Sequence, residues 1–167
     1  GGYVTYDPET DSFTLPPEQA LALAVEDSPC FVPGGFQVIR SAMLDLPKIS
    51  AGFKSGKGVG WHERDKNLFA GTERFFRPSY IANLTTSWIP ALDGVEARLQ
   101  RGAKVADVGC GHGASTILMA QAFPNSEFWG FDYHDGSIEA AKLTAEMAGV
   151  SDRTHFVQAG AKDFPGD

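Results

Sequence analysis

The chain has 167 residues at 17.9 kDa, with 43% hydrophobic and 21% charged content, enough to bury one sizeable core. A formal charge of -7 and a pI near 5.0 have the wrong sign for a chain held mainly by phosphate contacts, so no nucleic acid is expected as a partner. No run of eighteen apolar residues occurs, which leaves no membrane-spanning helix to expect.

The opening residues Gly1-Gly2 lack an initiator Met and a signal-peptide pattern, so an internal fragment is the expectation. Cys30 and Cys110 lie too far apart for a disulfide framework or a zinc ligand set. The chain therefore reads as cytoplasmic, with no metal.

Tyr3, Thr5, Phe13 and Leu15 flank the turn-prone run from Asp7 to Asp11, which predicts a short hairpin. Pro16-Pro17 then opens a helix to about Val25, because Pro is tolerated in a first helical turn. A second helix is expected from Phe36 to about Leu46, stopping at Pro47. The Gly- and Lys-rich run from Lys54 to Gly60 reads as a loop. From His62 to Leu99 the pattern is mostly helical, with Phe69, Phe76, Tyr80, Leu84 and Trp88 near a 3.6 period and Pro78 and Pro90 as breaks.

Charge is unevenly spread. The first forty residues hold six acidic residues against Arg40 alone, the stretch 41–104 holds ten basic against six acidic, and the remainder nine acidic against three basic. After Gly102 short strands and helices alternate, as in an open parallel sheet. Strands are expected at Lys104–Val108, Glu127–Asp132 and Thr154–Gln158, and helices at Ala114–Ala122 and Gly136–Ala148. Ile138, Ala141, Ala145 and Ala148 form the stripe that would cover the sheet.

The segment Val105-Ala106-Asp107-Val108-Gly109-Cys110-Gly111-His112-Gly113-Ala114 is an apolar strand entering a glycine turn that opens a helix. Such a turn lets a ligand approach the backbone at the carboxyl end of the first strand. Asp132 closes the next strand, where a carboxylate can take the two hydroxyls of a ribose. Loop and acid together indicate a nucleoside. Gly109, Gly111 and Ala114 also fit the dinucleotide pattern of an NAD-dependent oxidoreductase, but Asp107 would repel a pyrophosphate and attract a cationic ligand. That sign favours S-adenosylmethionine. The plainer reading makes Asp107 a turn cap and the glycines mere shape.

These residues resemble the class I S-adenosylmethionine-dependent methyltransferases, with Asp107 to Gly113 similar to their first motif and Phe131-Asp132-Tyr133 to their second. The upstream ERFFRPSY and WIPAL look most like a bacterial subgroup with an N-terminal winged-helix domain. The resemblance implies an α/β fold: a Rossmann-like sheet cut short after its third strand, preceded by helices and a winged-helix hairpin remnant. Residues 1–50 would be that remnant with connecting helices, 51–102 a helical linker or lid, and 103–167 the first half of the donor-binding domain. It further implies that Gly109, Gly111 and Gly113 line the methionine part of the donor, that Asp132 holds the ribose, that Tyr133 packs on the adenine and that the Ala161 N–H meets the adenine ring.

At Gly160 many relatives have an Asp, for which Asp163 is the candidate substitute. The expected activity is direct methyl transfer to a small molecule by the parent protein, with this chain inactive alone. A homodimer through the N-terminal region fits that picture, and a non-catalytic winged-helix regulator is the other alternative. The first strand is central in such sheets, so Lys104–Val108 should show one unpaired edge.

His62, His112, His134 and His155 have no metal-ligand spacing. His112 sits inside the loop, where a general base competes with a solvent-facing residue, the simpler expectation. The stretch Trp61 to Arg77 mixes bases and aromatics. It reads as an amphipathic helix over the pocket, with Arg74 or Arg77 at most meeting an anionic group.

Overall fold

A change of period near Gly102 divides a helical half from an α/β half in the computed structural model, which describes residues 2–165. Strands β1 (Thr5–Asp7) and β2 (Ser12–Thr14) form the expected hairpin, with Tyr6 opposite Phe13. Asp7 shapes the turn by accepting hydrogen bonds from the Glu9 N–H at 2.9 Å and the Thr10 hydroxyl at 2.8 Å. Every residue of both strands is exposed. Helix α1 (Pro17–Leu23) follows, with Pro in its first turn as expected.

The single helix expected from Phe36 to Leu46 is two helices, α2 (Pro33–Leu44) and α3 (Leu46–Ser55), meeting at Asp45. Pro47 starts a helix instead of stopping one, because it falls in the first turn of α3, where an N–H would have no partner. Asp45 secures the junction. Only 1% exposed, its carboxylate accepts from the Asp65 backbone N–H at 2.9 Å and from Arg64 Nε at 2.8 Å, and lies 3.2 Å from Lys48 Nζ. Lys54 and Ser55, expected in a loop, therefore complete α3, and Gly56 ends it in the left-handed conformation.

Helix α4 (Asn67–Asn83) runs through Pro78, which is buried inside it rather than breaking it. Packing against α2 and against α6 (Ala114–Ala122) outweighs the local cost of that proline, about 3 kcal/mol. The helical period changes after α4, where Leu84–Trp88 wind as a π-helical turn, and Pro90 lies in the turn beyond. The crossing of α2 and α4 is close. A Cβ added at Gly34 would lie 2.5 Å from the Phe75 backbone nitrogen, and one at Gly71 would lie 3.0 Å from that of Val38.

In the α/β half, β3 (Lys104–Val108), β4 (Glu127–Asp132) and β5 (Thr154–Gln158) are parallel in the order β3-β4-β5, with the expected bounds. Helix α7 (Asp135–Met147) begins one residue before the expected start, because the His134 ring accepts the Ser137 N–H and caps it. Ile138, Ala141 and Ala145 are buried against Phe128, Phe156 and Ile117. Ile89 and Leu99 join the same cluster, so α5 (Val95–Arg101) packs with the sheet. Among the described residues β3 pairs only with β4, leaving one edge open, and Lys104, Ala106 and Val108 are exposed. No helix is long and apolar enough to cross a membrane among the described residues.

Candidate functional site

The loop after β3 folds back onto β4 because the Gly109 and Cys110 N–H groups both donate to the Phe131 carbonyl, at 2.7 and 3.0 Å. Gly109 and Gly111 adopt φ of 82° and 55°, and a Cβ added to either would meet nothing within 4 Å. Both line a cavity of about 420 Å³. Gly113 turns the other way. A Cβ there would lie 2.8 Å from the Phe156 ring and 3.1 Å from Ala141, so it permits close helix–strand packing and does not line the cavity.

Asp132 is held between loop and helix. One carboxylate oxygen accepts the Gly111 N–H at 3.0 Å and the other the His134 N–H at 2.9 Å. Each oxygen retains a lone pair beyond the one so used. Asp107 also lines the cavity, and its Oδ2 accepts the hydroxyls of Ser115 at 2.8 Å and Thr116 at 2.6 Å in the first turn of α6. It therefore lines the cavity while holding two side-chain hydroxyls, and it does not cap the backbone of the helix. The cavity is roofed by Trp61 and by Phe69, Phe76 and Tyr80 of α4, and its described lining includes Glu73, Asp107 and Asp132 but no Lys or Arg.

Residues 99–167 match the family model of a methyltransferase domain. That match takes in the whole of the α/β half. A proposed O-methyltransferase of Nostoc punctiforme is 21% identical, with a TM-score of 0.61 over 96% of this chain and 47% of that one. An O-methyltransferase family protein of Burkholderia thailandensis is 13% identical, with a TM-score of 0.65 over 95% of this chain and 46% of that one. At these identities the likeness is one of fold, and it extends over the helical half as well. The release factor glutamine methyltransferase of Gloeobacter violaceus is 32% identical over 57 residues, 34% of this chain and 20% of that protein. The chain thus spans about half the length of the two solved proteins, and the alignment a fifth of the curated one.

Within the matched segment, Tyr133 lines the cavity beside Asp132, and burial followed by the Asp132 charge raises its phenol above the ordinary value. Ala161 lies in the exposed turn after β5 and is not part of the cavity wall. Asp163 folds back on that turn, with its N–H donating to the Gly160 carbonyl at 3.0 Å. Burial, reinforced by the Asp107 and Asp132 carboxylates, pushes the Cys110 thiol up to about 12, so it stays protonated near neutral pH.

One expectation is corrected at the roof. His112 does not face solvent: it is half-buried, and its Nδ1 lies 2.8 Å from Glu73 Oε2 because α4 crosses the glycine loop at that point. Arg74 and Arg77 meet the protein's own acidic residues. Arg74 bonds Glu26 and the Gln37 side chain, and Arg77 pairs with Asp27, so the acidic N-terminal segment is anchored to α4. Glu73 escaped the sequence reading. Its only signal was its place on the polar side of an amphipathic stretch, 39 residues from its partner. Among the described residues no group of three or more His, Cys, Asp or Glu could hold a metal ion.

Proposed function

We propose that this chain forms the donor-binding part of an enzyme that moves the methyl group of S-adenosylmethionine to a nucleophilic O, N or C of a small molecule by direct displacement. The observation that carries this reading is Asp132, fixed by two backbone N–H groups at the rim of a cavity floored by two open glycines. A carboxylate so held is prepared to accept both hydroxyls of a ribose. The Asp107 carboxylate, bonded to the Ser115 and Thr116 hydroxyls in the first turn of α6, places negative charge beside the position of a pyrophosphate, which argues against a dinucleotide.

The residues present fit the donor. Gly109 and Gly111 would lie along its methionine part, Asp132 would take the ribose, and Tyr133 would pack on the adenine. Gly113 would shape the loop from behind, and Ala161 would offer only its backbone N–H at the margin. The bound donor supplies an electrophilic methyl group on a cationic sulfur, whose charge the three carboxylates of the cavity favour. The aromatic roof excludes water and suits a small acceptor that need not be anionic. Catalysis rests mainly on alignment of nucleophile and methyl group. Exposed Phe36, Ile39 and Met43 on α2 support a homodimer through the N-terminal region, and the hairpin is read as the remnant of a wing.

The test is calorimetry on the full-length protein with S-adenosylmethionine, S-adenosylhomocysteine and NAD. Both adenosyl ligands are expected to bind and NAD not to. Asp132→Ala should weaken S-adenosylhomocysteine by about 1.5–3 kcal/mol, the loss of hydrogen bonds to a charged group. Binding of NAD alone would replace this reading by that of an oxidoreductase, and unchanged affinity in the variant would remove Asp132 from the site.

A further inference from the structure

We infer that His112 is the proton acceptor for the methyl acceptor, acting through Nε2, and that Glu73 is its positioning residue. The inference rests on the donor reading above. It starts from an arrangement that the loop motif does not require: a ring in the donor loop, half-buried, lining the cavity, with Nδ1 2.8 Å from a carboxylate on the helix that roofs the same cavity. A carboxylate oxygen can only accept, so Nδ1 carries the hydrogen and the neutral ring keeps its lone pair on Nε2. The second nitrogen has no hydrogen-bond partner among the described residues. An imidazole with one nitrogen tethered to a carboxylate and the other bare beside a cavity is the arrangement of an oriented base.

The carboxylates and the thiol nearest to it already have partners or hold their proton. Asp107 on β3 accepts two hydroxyls, and Asp132 on β4 accepts two backbone N–H groups. The Cys110 thiol is buried and protonated. Glu73 on α4 is spent on the ring itself, and Tyr133 is a donor rather than a base near neutral pH. All the charged neighbours of His112 in the described cavity wall are carboxylates.

The step balances. The acceptor heteroatom forms a bond to the methyl carbon as the carbon–sulfur bond breaks. That bond's electron pair stays on sulfur, giving the neutral thioether of S-adenosylhomocysteine. The acceptor's own proton moves to Nε2, and the imidazolium later releases it to water. This assigns the substrate class: a hydroxyl or N–H small molecule with a proton to lose, presented under the aromatic roof, rather than a tertiary amine or thioether.

The test reads protonation rather than turnover. The full-length protein labelled with carbon-13 at histidine Cε1 is titrated by NMR in its S-adenosylmethionine and S-adenosylhomocysteine complexes, and the His112 signal is assigned by its loss in His112→Gln. A ring facing the reacting sulfur should show a protonation midpoint lower in the cationic complex than in the neutral one. The expected shift is about half a pH unit or more, as one unit charge a few ångströms away imposes even at the dielectric of water. Glu73→Gln should lower the midpoint in the S-adenosylhomocysteine complex, because a charged partner becomes a neutral one. Equal midpoints in the two complexes, with calorimetry showing both ligands bound, would overturn the role of His112 and leave the donor site standing. An unmoved midpoint in Glu73→Gln would overturn the role of Glu73. Failure of both ligands to bind would defeat the donor reading and this inference with it.

Discussion

Buried aromatic and aliphatic side chains are concentrated in the α/β half of the molecule, and the helical half buries fewer of them. In the α/β half Phe128 is fully buried, and Phe131, Ile138 and Val150 are nearly so. On the N-terminal helices Met43 is 73% exposed and Phe53 86%. The sheet is held by removal of apolar surface from water. The helices before it are held differently. They rely on the Asp45 cluster, on Arg74 and Arg77 clamped to Glu26 and Asp27, and on the close backbone approach at Gly34 and Gly71. The cavity lies at the seam, with its floor in the first kind of structure and its roof on α4 in the second. Rigid positioning of Asp132 and a roof held by polar clamps follow from that division.

The strongest challenge to this contrast is a pair of truncations. Phe128→Ala should cost about 3–5 kcal/mol of stability, as expected for a buried ring whose cavity cannot collapse. Phe53→Ala should change it by no more than about 0.5 kcal/mol. Denaturant unfolding followed by circular dichroism measures both, and comparable losses would abolish the distinction. Next in size is Gly34→Ala. Its methyl group would meet the Phe75 backbone at 2.5 Å, so α2 and α4 must separate, at a cost of about 1–3 kcal/mol. A variant as stable as the wild type would mean that the crossing is looser than its geometry indicates.

What the sequence made legible follows the same seam. The strands, the loop from Gly109 to Gly113 and Asp132 are encoded locally, by alternation, glycine and a strand-ending acid, and they stand where the pattern put them. Pro47 was misread because a proline that stops one helix and one that starts the next are the same residue. The choice was made by bonds from Asp45 to Arg64 and Asp65, about twenty positions away. Pro78 was misread for a similar reason, since neighbours on other elements hold α4 together. The facing of Gly113 toward Phe156 and the meeting of His112 with Glu73 are tertiary facts with no local signature.

A smaller effect concerns acid. The Asp65 N–H, followed by the Arg64 guanidinium, holds the Asp45 carboxyl down to about 2, against an ordinary value of 3.8. A carboxyl depressed on folding stabilises fully above its unfolded value, and that contribution is lost as the pH falls through about 2. Thermal unfolding between pH 6 and pH 2.5 should therefore show a decline that begins near pH 4. Asp45→Asn should start from a lower midpoint at pH 6 and decline less. Parallel profiles for the two proteins would show that Asp45 does not carry the junction of α2 and α3.

The smallest expected effect leaves stability untouched and compares the two cysteines as reporters of the two halves. Cys30 is exposed in the segment between α1 and α2, whereas Cys110 is buried in the loop over the sheet, with its thiol pushed up to about 12. The thiolate is the species that alkylates, so at pH 8 only about one Cys110 in ten thousand would be reactive even if reagent could reach it. Iodoacetamide followed by mass spectrometry of the native protein should label Cys30 and leave Cys110 intact. Both should react once the chain is unfolded in urea. Rapid labelling of Cys110 in the native state would require the loop to lift from Phe131 and expose the sulfur. The floor of the cavity would then be as mobile as its roof, and the fixed placement of Asp132 through the Gly111 N–H would fail with it.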